Sequence, residues 1–340
     1  MQFCRAVDAE PLICLRFHGK APRDAAEEVE YLNGSHETTM GGLQSRNGHA
    51  EPYHVRYWQI GNEIASPQYD TSIGDFARAM KKTNPSMQIF SSFPNSAVIK
   101  NAGDVLDFVC PHQYSTDLAG MEKGLLDLGR MIRENEPAGR SIKVAVTEWN
   151  TTAGDAGPRR AMLWTLANAL ACSRYQNLLH RHCDLVTMAN RSNLANSFCS
   201  GIIQTDHRGR MYLTPTYYAQ QLYATHAGTR PLKIEGDATP LDVSATLSSA
   251  RDELALFVVN DTTGEIGRTI DLSPFGDIAG QKIAVWTLAD RDRAGEPDVT
   301  NNFEDPQRVV ARESSLGAAG TRFDHTFPPL SLTVLKCRVR

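Results

Sequence analysis

The sequence lacks most of what would make its class obvious. No apolar run in its 340 residues approaches the ~20 that a membrane helix needs, so a spanning helix is not expected. No excess of basic residues is present: 35 Lys and Arg against 39 Asp and Glu leave a net charge of −4, which argues against nucleic acid or an anionic lipid surface as a partner. The seven cysteines (Cys4, Cys14, Cys110, Cys172, Cys183, Cys199 and Cys337) are never spaced Cys-x-x-Cys. They are odd in number and scattered, which fits neither a disulfide framework nor a zinc ribbon. The start, Met1-Gln2-Phe3-Cys4-Arg5, shows no basic segment followed by an apolar one. A signal peptide is therefore not visible, and a reduced, cytoplasmic protein is the default expectation. There is no G-x-G-x-x-G, no G-x-x-x-x-G-K and no G-x-S-x-G, so nucleotide binding and serine hydrolysis have no local support. His180-x-His182-Cys183 is no metal site by pattern: positions i and i+2 of a helix do not face each other. No metal and no organic cofactor are expected.

What is present is an ordinary globular composition, 41% hydrophobic and 22% charged, long enough for a large α/β body and a smaller module. Strands are expected at Leu12–Phe17, Val55–Ile60, Met87–Phe90, Val105–Cys110, Ile142–Thr147 and Asp184–Ala189. Helical spacing falls between them: Asp24–Leu32, Ile73–Lys82, Gly124–Asn135, a longest helix over Arg159–His180, and then Pro215–Thr225. Buried strands alternating with helices indicate a parallel sheet covered by helices. Near residue 228 the helical period ends. Short alternating runs follow at Leu241–Leu247, Leu254–Val259, Lys282–Leu288 and Leu330–Leu335, with turns at Asn260-Asp261 and Gly276-Asp277. The expected division is an α/β body over 1–228 and an antiparallel β-sandwich over 229–340.

Two segments carry chemistry. In Trp58-Gln59-Ile60-Gly61-Asn62-Glu63 and in Val146-Thr147-Glu148-Trp149-Asn150, an apolar strand ends abruptly in a glutamate. A glutamate just past a strand is commonly a solvated loop residue. Here two of them lie 85 residues apart with two strand–helix units between. A parallel barrel places its reactive groups at the C-terminal strand ends, and two carboxylates there suit glycoside hydrolysis, one protonating the leaving oxygen and the other attacking or activating water.

With these motifs the chain resembles the α-L-arabinofuranosidases of glycoside hydrolase family 51. The matching residues are Gly61-Asn62-Glu63 at the fourth barrel strand, His112-Gln113-Tyr114 at the sixth, Glu148-Trp149-Asn150 at the seventh and Met188-Ala189-Asn190 at the eighth. The all-β tail ending Phe327-Pro328-Pro329-Leu330-Ser331-Leu332 matches too. The resemblance implies a (β/α)8 TIM-barrel-type fold and retaining release of terminal α-L-arabinofuranosyl units from arabinose-containing oligo- or polysaccharides. It implies Glu63 as general acid/base and Glu148 as nucleophile. Asn62 would bind the sugar 2-hydroxyl and Tyr114 would donate to the nucleophile carboxylate. His112, Trp149 and Asn193 would be further substrate contacts. A β-xylosidase or endo-glucanase of the same clan, or a non-catalytic carbohydrate-binding protein, are the alternatives, and a homo-oligomer is left open.

Two departures from the family pattern set further expectations. Because Glu63 ends the fourth strand, Leu12–Phe17 corresponds to the third, and residues 1–10 hold no counterpart of strands one and two. A closed barrel takes ~250 residues. The expected barrel is thus N-terminally incomplete, showing strands three to eight and an exposed sheet edge. The loop Thr151-Thr152-Ala153-Gly154 also lacks the aromatic residue that many relatives carry past the nucleophile.

Overall fold

The computed structural model describes residues 1–152, 157–196, 201–276 and 281–339. The expected features at Ala153 and Gly154, at Cys199 and at Asp277 lie outside them. The elements run α1 (Gln2–Ala6), β1 (Leu12–Leu15), α2 (Pro22–Asn33), α3 (Thr39–Arg46), β2 (Tyr57–Ile60), α4 (Pro67–Thr83), β3 (Gln88–Phe90) and α5 (Ser96–Ala102). Next come β4 (Phe108–Val109), β5 (His112–Tyr114), α6 (Leu118–Asn135), β6 (Lys143–Asn150), α7 (Leu166–Arg181), β7 (Val186–Arg191), β8 (Ile203–Thr205), β9 (Met211–Leu213) and α8 (Pro215–His226). Strands follow: β10 (Arg230–Leu232), β11 (Asp242–Leu247), β12 (Glu253–Asn260), β13 (Ile266–Asp271), β14 (Gln281–Asp290), β15 (Val309–Ala319), β16 (Arg322–Phe327) and β17 (Ser331–Arg338). They form two compact units. One comprises Met1–Gln113, Met121–Glu148 and Leu185–Asn190; the other comprises Tyr114–Gly120, Trp149–Asp184 and Arg191–Arg340.

The first unit is built on the parallel sheet that the sequence pattern predicts. Strands β1, β2, β3, β4 and β6 pair side by side in parallel, and β5 and β7 each pair β6. Alternation divides the strand residues between two faces. Leu15, Trp58, Ile60 and Ile89 point outward into a core completed by Val29 of α2, by Tyr69, Ile73, Phe76 and Met80 of α4, and by Val98 of α5. The opposite face is thinner. Phe90, Cys110 and Ala145 are buried there, with Leu12, Tyr57, Phe108 and Met188 half-buried around them. Phe90 stacks on Phe108 with ring centres 4.3 Å apart and meets Tyr57 edge-on at 5.7 Å. The coarse expectation of an α/β barrel-type sheet with a β-rich C-terminal part therefore holds.

In the second unit a six-stranded antiparallel sheet, ordered β10-β11-β12-β17-β14-β15, carries cores on both faces. Phe257, Val259, Leu332 and Val334 face Leu166 and Leu170 of α7 and Leu222 and Tyr223 of α8. Val258, Val285, Leu335 and Cys337 point the other way, toward Phe327, Ile266, Ile270 and Phe323 of the β13–β16 pair. The expected sandwich is formed by this sheet and the two-stranded β13–β16 layer on one face, with helices on the other. The helix expected over Arg159–His180 is corrected. Residues Gly157–Trp164 form 3-10 turns, and α7 starts at Leu166 because Thr165 is extended and its hydroxyl accepts from the Asn168 backbone. Among the described residues the longest helix is α6, with 18 residues.

Candidate active site

The first unit brings Glu63, His112 and Glu148 together. β2 ends at Ile60 and the chain reverses through Gly61, whose φ of +75° favours glycine. A Cβ at Gly61 would stand 2.5 Å from Ile64 Cδ1. Glu63 itself has φ +51°, a left-handed conformation that a non-glycine residue adopts at a cost and that clusters at functional sites. The loop is pinned on each side. Gly61 N donates to Leu15 O at 2.8 Å, and the buried Gln59 amide donates to Gly61 O at 2.9 Å. Ile64 N donates to Ser92 Oγ at 2.8 Å, while the Tyr69 hydroxyl donates to Ile60 O at 2.7 Å and accepts from Ser92 N at 2.6 Å. Burial pushes the Tyr69 hydroxyl far above its ordinary value, so it stays a donor. Gln59, Tyr69 and Ser92 are thus structural partners of the site that sequence reading does not find. Gln59, a polar residue inside an apolar strand, is the only one with a local signal.

His112 begins β5 and its side chain is almost fully buried, whereas those of Glu63 and Glu148 are 51% and 33% exposed. His112 Nδ1 lies 3.0 Å from Glu63 Oε1 and 3.4 Å from Glu148 Oε2. One oxygen of each carboxylate and a His112 nitrogen all lie within 4.8 Å of one another. The ring is held by Phe93, edge-on with centres 5.4 Å apart, and Thr147 Oγ1 lies 3.5 Å from Nε2. Phe93 carries no signal in the sequence, and Thr147 appears there only as the neighbour of Glu148. By donor type the same trio could take a divalent cation; within the protein, His112 Nδ1 shares a hydrogen bond with Glu63 Oε1 and lies 3.4 Å from Glu148 Oε2. Chemically, the site offers two solvent-open carboxylates at close range with a buried imidazole donor beneath them.

The other predicted site residues are more dispersed. Asn62 is exposed beside Glu63 in the same loop. Tyr114, Trp149 and Asn193 belong to the second unit. Tyr114 is exposed at the end of β5, and Asn193 is exposed after β7. Trp149 is fully buried with its ring 4.6 Å from that of Tyr175, so the open face that sugar stacking requires is taken up by packing. Asn150 next to it is buried within hydrogen-bond reach of the Cys172 thiol and the Arg191 guanidinium.

Comparison with known proteins follows the same lines. The family model for the α-L-arabinofuranosidase C-terminal domain matches residues 147–331, and that for the α-L-arabinofuranosidase 1 domain matches residues 1–124. The probable α-L-arabinofuranosidase C of Aspergillus clavatus is 24% identical over 402 aligned positions, covering 99% of this chain and 76% of that protein. Among solved structures, the thermostable GH51 α-L-arabinofuranosidase of Thermotoga petrophila superposes with a TM-score of 0.86 at 25% identity, over 99% of this chain and 77% of that one. The α-L-arabinofuranosidase of Thermotoga maritima in its arabinose complex gives 0.84 at 24% identity, with 99% and 77% covered. The domain models together span both units and the matching sequence motifs fall at the strand ends described above: the chain is a glycoside hydrolase of the family 51 α-L-arabinofuranosidases.

Proposed function

We propose that Glu63 and Glu148 carry out retaining hydrolysis of terminal α-L-arabinofuranosides, in oligo- or polysaccharides that contain arabinose. The observation that carries the assignment is the proximity of the two carboxylates, with oxygens within 4.8 Å. Retaining glycosidases hold their carboxyl groups ~5–5.5 Å apart, whereas inverting ones leave ~6.5–9.5 Å for a water. In the first step Glu148 attacks the anomeric carbon and the glycosidic C–O bond breaks, with the Glu63 proton passing to the leaving oxygen. In the second, Glu63 takes a proton from water, the water oxygen attacks the anomeric carbon, and the bond to Glu148 breaks. Asn62, next to Glu63 in the chain, is assigned to meet the 2-hydroxyl, Tyr114 to donate to the nucleophile carboxylate, and Asn193 as a further sugar contact. No metal or organic cofactor enters either step.

The seven strands of this sheet are read as strands three to eight of the barrel, β4 and β5 together taking the place of the sixth. Support comes from the half-buried inner face at Leu12, Tyr57, Phe108 and Met188, which a closed barrel fills with side chains. Residues 1–228 are assigned to the catalytic body and 229–340 to the β-domain. Hydrolysis of nitrophenyl α-L-arabinofuranoside against nitrophenyl β-D-xyloside tests the substrate, and Glu63→Gln and Glu148→Gln test the residues. The expected result is preference for the arabinofuranoside and loss of 10²-fold or more in kcat with either variant. Xyloside preference, or two variants as active as the parent, would overturn the assignment.

A further inference from the structure

Glu63 is the more exposed of the two carboxylates, and its φ of +51° persists only where the surroundings hold it. With half of its side chain open to solvent, packing does not fix its aim. The aim depends on the loop beneath it and on the imidazole at its side. One short segment after β3, Ser92-Phe93, reaches both. Ser92 Oγ accepts from Ile64 N, the amide immediately after Glu63, at 2.8 Å. Phe93 meets the His112 ring edge-on with centres 5.4 Å apart, and His112 Nδ1 lies 3.0 Å from Glu63 Oε1. The segment is itself anchored. Ser92 N donates to the Tyr69 hydroxyl at 2.6 Å, and that hydroxyl donates to Ile60 O at 2.7 Å, tying the segment back to the end of β2. Atom type fixes these directions, since a backbone N–H only donates and a carbonyl only accepts. On the other side, Ser91 N donates to Phe108 O at 3.0 Å and Ser91 Oγ to Ser92 O at 2.8 Å. Tyr69, Ser91, Ser92 and Ile64 are all buried, so a partner lost here is not readily replaced by solvent.

We propose that Ser92 is a positioning residue for the acid/base: its hydroxyl, held in place by Tyr69, fixes the backbone on the C-terminal side of Glu63 and so sets where that carboxyl meets the glycosidic oxygen. This role rests on the assignment of Glu63 as acid/base. Without the hydroxyl the buried Ile64 amide loses its acceptor, and the left-handed turn at Glu63 loses a contact that holds it. Glu148, by contrast, belongs to the regular strand β6 and takes its backbone position from that strand. The effect of Ser92 therefore falls on the steps in which Glu63 moves a proton. Breaking a glycosidic bond to a sugar oxygen needs the Glu63 proton, because the departing alkoxide is strongly basic. Breaking a bond to a dinitrophenyl oxygen does not, because that phenolate leaves without one.

The test compares leaving groups in Ser92→Ala and Tyr69→Phe, each made in the whole chain. The quantity read is kcat/KM, which reports the steps up to and including bond cleavage. For an arabino-oligosaccharide it is expected to fall about tenfold to a hundredfold, and for dinitrophenyl arabinofuranoside by less than about threefold. A purely structural role would lower both alike, because a loosened fold disturbs nucleophile and acid together. In the parent, the Ile64 amide is expected to exchange its hydrogen at least about a hundredfold more slowly than in an unstructured chain, and the protection should drop in Ser92→Ala. Equal losses on the two substrates, or no loss on either, would overturn the proposal. So would an Ile64 amide that exchanges in the parent as in an unstructured chain, a result that decides even if neither variant folds. Glu63→Gln is expected to show the same leaving-group bias, at least as large. Failure of the catalytic assignment is seen separately, as a Glu63→Gln variant without that bias.

Discussion

His180 makes the second unit sensitive to acid in a way that can be worked through from its surroundings. It lies near the end of α7, its Nδ1 2.9 Å from Ser244 Oγ and its ring packed against Tyr223 and Phe257 at 5.6 and 5.5 Å. Burial, helped by the neighbouring Arg181 charge, pushes the imidazole down from 6.5 to about 4. In the unfolded chain it titrates near 6.5. Between those values the unfolded state binds a proton that the folded state refuses, so stability rises with pH there and is lost as pH falls from 6.5 toward 4. At about 1.36 kcal/mol per pH unit, that gap amounts to about 3 kcal/mol. His180→Gln keeps a neutral hydrogen-bonding group but cannot titrate. Urea unfolding of the parent and of His180→Gln at pH 7.5, 6.5, 5.5 and 4.5 should show the parent losing about 2.5 kcal/mol more than the variant across the window, with the difference nearly constant above pH 7. Parallel curves over the whole range would refute the reasoning, since His180 would then protonate in the folded protein as it does in water.

Three further outcomes are expected. Gly61→Ala forces a Cβ into a left-handed turn and onto Ile64 Cδ1; a cost of about 1–2 kcal/mol should lower the Tm by a few degrees and displace the Glu63 loop, with kcat falling tenfold or more. Unchanged kcat at a lowered Tm would separate the turn from the site. Asn260 is fully buried and bonds Gly264 O, Phe327 O, Pro328 O and Thr262, tying β12 to the approach to β17; Asn260→Ala should cost about 2–4 kcal/mol in denaturant unfolding because buried carbonyls lose their donor, and a cost under 0.5 kcal/mol would contradict that. Hydrolysis of the nitrophenyl arabinofuranoside should be unaffected by prior treatment with EDTA, measured as kcat; a loss restored by one divalent cation would assign Glu63, His112 and Glu148 to a metal instead.

How much of this was legible in the sequence varies with how local the cause is. Strands β1, β2, β3 and β6 stand out because their apolar runs are bounded by polar turns, and α4 and α6 because their buried residues recur at helical spacing. The start of α7 was not legible. Leu163 continues the apolar period of Leu166 and Leu170, and only the extended backbone of Thr165, fixed by Leu166 N donating to Val299 O far along the chain, breaks it. The short helix α3 contains Gly41 and Gly42 and buries just Gly41 and Gln44, so it carries almost no pattern. In the site, Glu63 and Glu148 were legible as glutamates at strand ends. The groups that hold them were not: Tyr69, Ser92 and Phe93 come from other parts of the chain, and no spacing along the chain records such contacts. Trp149 was legible as an aromatic beside the nucleophile but not as a buried one, because its packing partner Tyr175 lies 26 residues on.

The central claim is that Glu148 attacks the sugar and Glu63 serves it, and trapping the covalent intermediate tests that most directly. An activated 2-deoxy-2-fluoro-arabinofuranosyl reagent slows both steps but leaves a good leaving group to drive the first, so the glycosyl-enzyme accumulates. Mass spectrometry of the digested protein should find one adduct, on the peptide that contains Glu148, forming much more slowly in Glu63→Gln when the leaving group needs protonation. An adduct on another residue, or complete hydrolysis of substrate with inversion of the anomeric centre and no adduct, would contradict the account.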